Sequence, residues 1–593
     1  MTNRIETWFA RLPRWVRGVI GIVAVLLGAV ILTRPTTSLG VLAILIGAGL
    51  ILSGILELAG GGDPDDEERM PRWRVVTAIL WILAGLFVLV FPGLTVRTVA
   101  LVVAVALVVN GVLSLVAAFR RGATWDARIA ASLLGVAGIA FGLLALLWPD
   151  ITLLVVAVVF GARLIIIGLL LVWHAVRGTR PKPRDAAEPT GLRRWTRTIA
   201  AVVAVLLAVI AGSVSATLRG GSPVVDDFYA APRDVPGEPG RLIRAEPFER
   251  GVPENAVAWR ILYTTTDEEG EPAVASGIVV VPAEGEDFPV IDWTHGTTGF
   301  AQPCAPSLAE EPFESGALFL LPDVIDNGWA LVATDYLGLG TPGPHPYLIG
   351  RPSAHAAIDA RRAASELEEA KLGEQTVVWG HSQGGGAALW TGALADAYAP
   401  ELDLAGVAAL APASNLAGLI ENLPNVTGGS IFEAFVIAAY TAIYPDVTYR
   451  EYVRPGAEVT VRRMAERCLA EPSSFVSVLN VLGLSRDPEI GSADPTTGPF
   501  GERLVENTPP PTISAPLLLG QGAADQLVVR AAQDAYVEDL CAAGQQVDYR
   551  VYAGRDHVPL VEPDSPLVPE LIEWTAARFA GEPVEPGCVT SER

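Results

Sequence analysis

Seven apolar runs, at about 18–33, 39–59, 75–91, 97–118, 129–148, 151–173 and 198–217, constrain this chain more than any other feature. Each approaches the ~20 residues that a helix needs to cross ~30 Å of hydrocarbon. The first is slightly short, and Trp15 flanks it as an interfacial residue would. A single run of this kind could be a buried core helix, but seven in succession predict a membrane domain. No small-residue cleavage site stands out and more spans follow at once, so the first run is not read as a cleaved leader.

The loops between the runs differ in charge. One side would hold Arg4, Arg11, Arg14 and Arg17, then Arg69, Arg72 and Arg74, then Arg120, Arg121 and Arg128, and seven more Lys/Arg between positions 177 and 197. The other side would hold only Arg34, Arg97 and Arg219. This bias predicts a cytoplasmic N-terminus in the plasma membrane. Seven crossings then carry residue 220 onward to the outside. Residues 1–220 have a net charge of +10 and residues 221–593 one of −33. The acidic half would repel phosphates, so nucleic acid is not expected as a partner. All four cysteines, Cys304, Cys468, Cys541 and Cys588, follow position 300 and fit no zinc-binding spacing. An even number in an outward-facing domain predicts two disulfides, in any of three pairings.

An internal period of 57 residues runs through the apolar part. It relates Pro35, Pro92 and Pro149, then Gly28, Gly85 and Gly142, then Gly54, Gly111 and Gly168, and also Ser38, Thr95 and Thr152. Coincident positions at one period predict three copies of a helical hairpin, with the prolines at short outer turns and the glycines at close helix contacts. The layout resembles the HdeD-like family of six-helix membrane proteins over about residues 15–175, a resemblance that implies no enzymatic chemistry. Arg163 and Asn110 lie inside spans; Arg163 is either a functional intramembrane charge or a residue that pairs with a neighbouring helix or reaches for the interface, the second reading being preferred. The linker from Pro181 to Arg197 and the seventh span stand outside the repeat, and a Pro/Gly-rich stretch over 222–240 follows.

From about residue 256, short β-branched runs alternate with helical patterns. A hairpin is predicted at 257–265 and 273–281, and strands at 289–293, 330–336, 376–379, 404–410, 516–520 and 547–552, with helices at 354–372 and 385–397 among them. Such alternation predicts a mostly parallel sheet covered on both faces. At one strand-to-helix junction stands Gly380-His381-Ser382-Gln383-Gly384-Gly385. A nucleophile elbow has this form. Glycines flank the serine because the turn is tight, the hydroxyl is raised above the sheet, and the next backbone N–H, from Gln383, points at the developing oxyanion. The serine requires a base. In this fold the order is Ser, acid, His, and His557 is the one histidine after Ser382. Asp525, on the loop after the strand at 516–520, is the expected acid. Asp556 is its rival, disfavoured because side chains of adjacent residues rarely converge. The second oxyanion donor is expected in Asp292-Trp293-Thr294-His295-Gly296-Thr297-Thr298-Gly299, from Gly296 or Thr297.

These motifs, together with Thr334-Asp335-Tyr336-Leu337-Gly338, resemble the secretory lipase family, α/β-hydrolases typified by fungal lipase A, over about residues 225–590. The resemblance implies a Ser382–His557–Asp525 triad, hydrolysis of acylglycerols and related esters without metal or organic cofactor, and disulfides Cys304–Cys468 and Cys541–Cys588. It also implies a lid, for which residues 413–511 fit. Within that segment Ile431, Phe432, Phe435, Val436, Ile437 and Tyr440 lie at helical spacing, as an acyl-binding wall, a membrane-facing stripe or the lid's own core. The expected architecture is an all-α transmembrane helical domain of three helical-hairpin repeats plus one extra span, followed by an α/β-hydrolase domain with an inserted helical lid. Its parts are a six-span domain over 1–178, a cytoplasmic linker and seventh helix over 179–220, and the hydrolase over 221–593. The expected activity is that of a membrane-anchored, extracytoplasmic serine hydrolase acting on lipid or small esters. An acyltransferase with the same triad and a membrane adaptor or sensor with a non-catalytic module are the alternatives.

Overall fold

The computed structural model of the chain describes residues 13–34, 51, 55, 72–119, 125–177, 191–221, 223–484 and 490–593. They form two compact units. The first comprises Met1–Gly220 with Val453–Val461 and Val478–Ser492; the second comprises Gly221–Tyr452, Arg462–Ser477 and Ala493–Arg593.

In the first unit lie α1 (Arg14–Thr33), α2 (Arg72–Val90), α3 (Pro92–Ala118), α4 (Trp125–Leu147), α5 (Pro149–Arg177) and α6 (Gly191–Gly220). Five stretches are long and apolar enough to cross a membrane: Arg14–Thr33, Thr98–Ala118, Trp125–Leu147, Pro149–Arg177 and Thr198–Gly220. The run at 75–91 falls in α2, whose apolar part Ala78–Val90 is shorter, and the run at 39–59 lies almost wholly outside the described residues. Large side chains such as Leu26, Leu113 and Val159 face outward, which suits helices solvated by lipid. Arg163 and Asn110 are also exposed.

The repeated glycines occupy contacts too close for any side chain. A Cβ on Gly28 would stand 2.6 Å from the Gly161 carbonyl oxygen, one on Gly168 2.6 Å from that of Gly21, and one on Gly111 2.7 Å from that of Gly135. These contacts join α1 to α5 and α3 to α4 along their lengths, as small-residue seams do in lipid. Gly54 and Pro35 lie outside the described residues. Pro92 and Pro149 begin α3 and α5, where a missing N–H costs nothing. The end of α6 lies beside the α4–α5 turn: Trp148 Nε1 donates to Ser215 Oγ at 2.9 Å, and Arg219 donates to the Leu147 carbonyl at 3.3 Å.

The second unit is built on a ten-stranded sheet in the order β1-β2-β3-β5-β4-β6-β7-β8-β9-β10. The strands are β1 (Leu242–Phe248), β2 (Ala256–Thr266), β3 (Pro272–Pro282), β4 (Phe288–Thr294), β5 (Ala330–Leu337), β6 (Leu372–His381), β7 (Asp403–Leu410), β8 (Leu517–Gly522), β9 (Val547–Tyr552) and β10 (Cys588–Glu592). The first three run antiparallel; from β5 through β4 to β10 the pairing is parallel. The edge strands β1 and β10 were not anticipated. Leu-Ile-Arg-Ala-Glu-Pro-Phe and Cys-Val-Thr-Ser-Glu lack the apolar content of the inner strands, as edges do. The inner strands are buried on both faces. In β6, Val377 and Trp379 join one core with Trp293, Trp329 and Trp574, while Val378 joins the other with Leu389 and Val407. Helices α7 (Leu321–Asp326), α8 (Gly350–Ser365), α9 (Gln383–Tyr398), α16 (Arg530–Ala542) and α17 (Leu567–Phe579) accompany the sheet. Between β7 and β8 come α10 (Leu416–Asn422), α11 (Gly429–Ile443), α12 (Tyr449–Tyr452), α13 (Glu458–Ala465), α14 (Ser474–Leu484) and α15 (Gly498–Glu506). Cys304 pairs with Cys468 and Cys541 with Cys588, at Cα separations of 5.1 and 5.7 Å.

Candidate active site

Ser382 stands between β6 and α9 with φ 60° and ψ −119°, a conformation that non-glycine residues adopt only when their surroundings enforce it. The surroundings are glycines. A Cβ on Gly380 would collide with the Gly384 carbonyl, and one on Gly384 with the Thr294 carbonyl. Thr294 Oγ1 reaches across from the end of β4 to the carbonyl oxygens of Trp379, at 3.0 Å, and Gly384, at 2.8 Å. The elbow and the loop after β4 are therefore one hydrogen-bonded structure.

Asp525 follows β8 and His557 follows β9, and these strands pair in parallel with Gly522 opposite Tyr552. Both side chains thus emerge at the same sheet edge as Ser382. His557 Nε2 lies 2.8 Å from Ser382 Oγ, and His557 Nδ1 lies 2.8 Å from Asp525 Oδ2. Asp525 Oδ1 accepts from the backbone N–H groups of Leu527 and Val528, each at 2.9 Å, and Oδ2 also accepts from Gln521 Nε2 at 3.2 Å. A buried carboxylate with this many donors is held in place. Asp556 is engaged elsewhere: its Oδ1 accepts from the backbone N–H groups of Gln526 and His557.

The oxyanion candidates separate. The Gly296 N–H donates to the Gly316 carbonyl at 3.0 Å, so it cannot serve a substrate oxygen; the expectation for Gly296 is corrected because the loop uses that donor to close on residue 316. The Thr297 N–H has no partner among the described residues, and Thr297 lines a cavity with Ser382 and Gln383. Gln383 opens α9, whose first N–H groups have no preceding turn to bond. The Gln383 side chain donates from Nε2 to His345 Nε2 at 3.0 Å, and His345 Nδ1 donates to the Leu337 carbonyl at 3.1 Å. Burial pushes His345 down to about 3, so it stays neutral and fixes the Gln383 amide.

Two side chains were not anticipated here. His381 Nε2 donates to the His557 backbone carbonyl at 3.1 Å, with the two rings 4.7 Å apart. Burial, and then the neighbouring His557, hold His381 down at about 3. Tyr347 meets Thr297 hydroxyl to hydroxyl at 2.9 Å. The position of His381 inside the elbow is a signal that the sequence carries; nothing in it marks Tyr347. Asp335 of the Thr334–Gly338 motif accepts from Ser276, at 2.6 Å, and from the Ser307 N–H, at 2.9 Å, and so braces loops behind the site.

The cavity at Ser382 is walled by Tyr347, Leu419, Phe432, Val436 and Val528. Phe432 and Val436 line this cavity, and Ile431, Phe435, Ile437 and Tyr440 are buried. Cys304–Cys468 and a bond from the Leu469 N–H to the Thr298 carbonyl at 2.8 Å tie the loop after β4 to the segment before α14. Gly299 sits at φ 148°, where a Cβ would lie 2.5 Å from Cys304 Sγ.

An elbow serine, a histidine and a carboxylate on successive strand ends of a mostly parallel sheet define the α/β-hydrolase class. Residues 315–587 match the family model of the secretory lipases. Residues 19–90, 76–134 and 133–213 each match a short repeat of unknown function found here in membrane-type helices. The chain is 25% identical to a lipase A of Moesziomyces aphidis, over 62% of this chain and 83% of that one. It is 27% identical to a secreted triacylglycerol lipase of Malassezia globosa, over 56% and 74%. It is also 26% identical to a Mycobacterium tuberculosis protein described as a probable inactive lipase, over 61% and 83%. Its fold is that of Candida antarctica lipase A, with a TM-score of 0.52 and 20% identity over 62% of this chain and 89% of that one.

Proposed function

We propose that the protein is a membrane-anchored serine hydrolase whose hydrolase unit lies outside the plasma membrane and cleaves carboxylic esters of lipid-like substrates. The observation that carries this reading is the unbroken chain of contacts from Ser382 Oγ through His557 to Asp525, at 2.8 and 2.8 Å. Nδ1–H donates to Asp525, which leaves Nε2 to take the serine proton as Oγ attacks the ester carbonyl. The Gln383 and Thr297 N–H groups stabilise the oxyanion. The protonated imidazole returns its proton to the departing alcohol. Water then attacks the acyl-serine, with His557 again taking a proton and delivering it to Ser382. Asp525 holds the tautomer and the charge throughout. The apolar walls at Leu419, Phe432 and Val436 suit an acyl chain.

Anchoring and orientation rest on the five long apolar helices, the Arg-poor outer loops and the two disulfides, which persist outside the cytoplasm. The end of α6, from which the hydrolase unit continues, lies beside the Pro149 turn, as seven crossings require. The test is Ser382→Ala in the full chain: turnover of a short-chain nitrophenyl ester and labelling by a fluorophosphonate should both vanish while expression persists. Retained turnover in that variant would reject the assignment.

A further inference from the structure

The side chains of α14 divide by face. Val476, Ser477 and Asn480 are buried, whereas Phe475, Val478 and Leu482 are 54, 46 and 64% exposed. Steps of three and four residues place the exposed three in one row along the helix. The helix, Ser-Phe-Val-Ser-Val-Leu-Asn-Val-Leu-Gly-Leu, contains no charged residue. A row of large apolar side chains on an uncharged surface helix marks an interaction face rather than a surface made for water.

The buried face indicates what surrounds the row. Asn480 Nδ2 donates to Asp150 Oδ2 at 2.6 Å, and the two residues are 4 and 1% exposed. Asp150 belongs to the first turn of α5, and beyond it Val155, Val158 and Val159 begin the outward apolar surface of that span. A second segment meets the same level: Val459 of α13 packs with Val96, Ala100 and Leu153, just inside the helix starts at Pro92 and Pro149. The exposed row thus points away from the helix that Asn480 grips, at the height where the spans enter hydrocarbon. Outside a helix bundle at that height lies lipid, and apolar side chains there are continuous with the lipid-facing surface below them.

We propose that α14 is an interfacial helix whose Phe475, Val478 and Leu482 lie in the outer monolayer of the bilayer that the same chain spans. This rests on the membrane-anchored reading and assigns the apolar row a lipid partner.

The experiment uses the full chain in phosphatidylcholine nanodiscs. An environment-sensitive fluorophore on Val478→Cys should emit blue-shifted light and be quenched about twofold by nitroxide-labelled phosphatidylcholine, while the same fluorophore on Glu269→Cys stays unquenched. Solvent-like emission at position 478 overturns the proposal. So does a blue shift without lipid quenching, which would place a second copy of the protein against the row. Turnover of soluble nitrophenyl butyrate by the same nanodiscs tests the hydrolase reading separately: if the unaltered chain does not turn it over, that reading fails, and quenching at position 478 alone then upholds the docking.

Discussion

At the scale of residues, the site depends on groups kept neutral by burial as much as on the charged pair. His381 braces His557 through its backbone carbonyl and carries no charge of its own near neutral pH. It is a positioning residue. His381→Phe should lower kcat about tenfold with KM unchanged, the loss of roughly one well-made hydrogen bond at the transition state, and His381→Gln should recover part of it. A KM effect of equal size, or no rescue, would argue for mere packing. Buried histidines also set the acid limit. His295, His345 and His381 fall from 6.5 to about 4, 3 and 3 because burial disfavours their cations. Below pH 6.5 the unfolded chain binds protons that the folded chain refuses, so stability drops as pH falls from 6.5 toward 4, by about 1.4 kcal/mol per pH unit for each histidine. Asp292 opposes this. Burial lifts it to about 8, with no hydrogen-bond partner among the described residues, so its contribution is lost as pH rises from the carboxylate range through 8. His355, lowered to about 4, acts with the other histidines, while Asp359 and Glu433, lifted by burial to about 6 and 7, act with Asp292. Asp292→Asn should therefore lessen the fall in thermal-inactivation temperature between pH 6.5 and 8. An unchanged fall in that variant would contradict the account of Asp292.

At the scale of elements, the helix seams are the sensitive joints of the first unit. A Cβ on Gly142 would stand 2.5 Å from Val108 Cγ2 and 2.8 Å from the Ala104 carbonyl. Gly142→Val should force α3 and α4 apart, at a cost in the range of about 1–3 kcal/mol typical of overpacking. Thermal denaturation of the purified chain in detergent should show a lower midpoint for Gly142→Val than for Gly212→Val, since Gly212 has nothing within 4 Å. In the second unit the corresponding joint is covalent. Cys541–Cys588 pins the polar edge strand β10 to α16, across a sequence separation of 47. Strand propensity does not explain this strand, which is why its residues did not read as one.

At the scale of the whole molecule, one chain joins a basic N-terminal part, residues 1–220, to an acidic C-terminal part, residues 221–593. Protease added outside intact spheroplasts should degrade the hydrolase unit and leave an N-terminal epitope protected; the reverse pattern would invert the orientation. Much of the helical part was legible beforehand. Apolar runs and the 57-residue period predict long apolar helices because lipid imposes a length rule on each segment by itself. The inner strands were legible because burial on both faces demands unbroken β-branched runs, and the order of Ser382, Asp525 and His557 because chain topology limits which loops can share one sheet edge.

What the sequence by itself determined, then, is what local rules govern: which segments are long and apolar enough to cross a membrane, which strands are buried, and which three side chains meet at one sheet edge. The tertiary structure decided the rest, because it depends on partners distant in sequence. Whether the Gly296 N–H is available depends on the carbonyl of Gly316, and whether Thr297 is fixed depends on Tyr347. The role of α14 depends on a hydrogen bond between residues 330 positions apart. A backbone donor can serve only the acceptor that folding brings to it, and no spacing along the chain records which one arrives first.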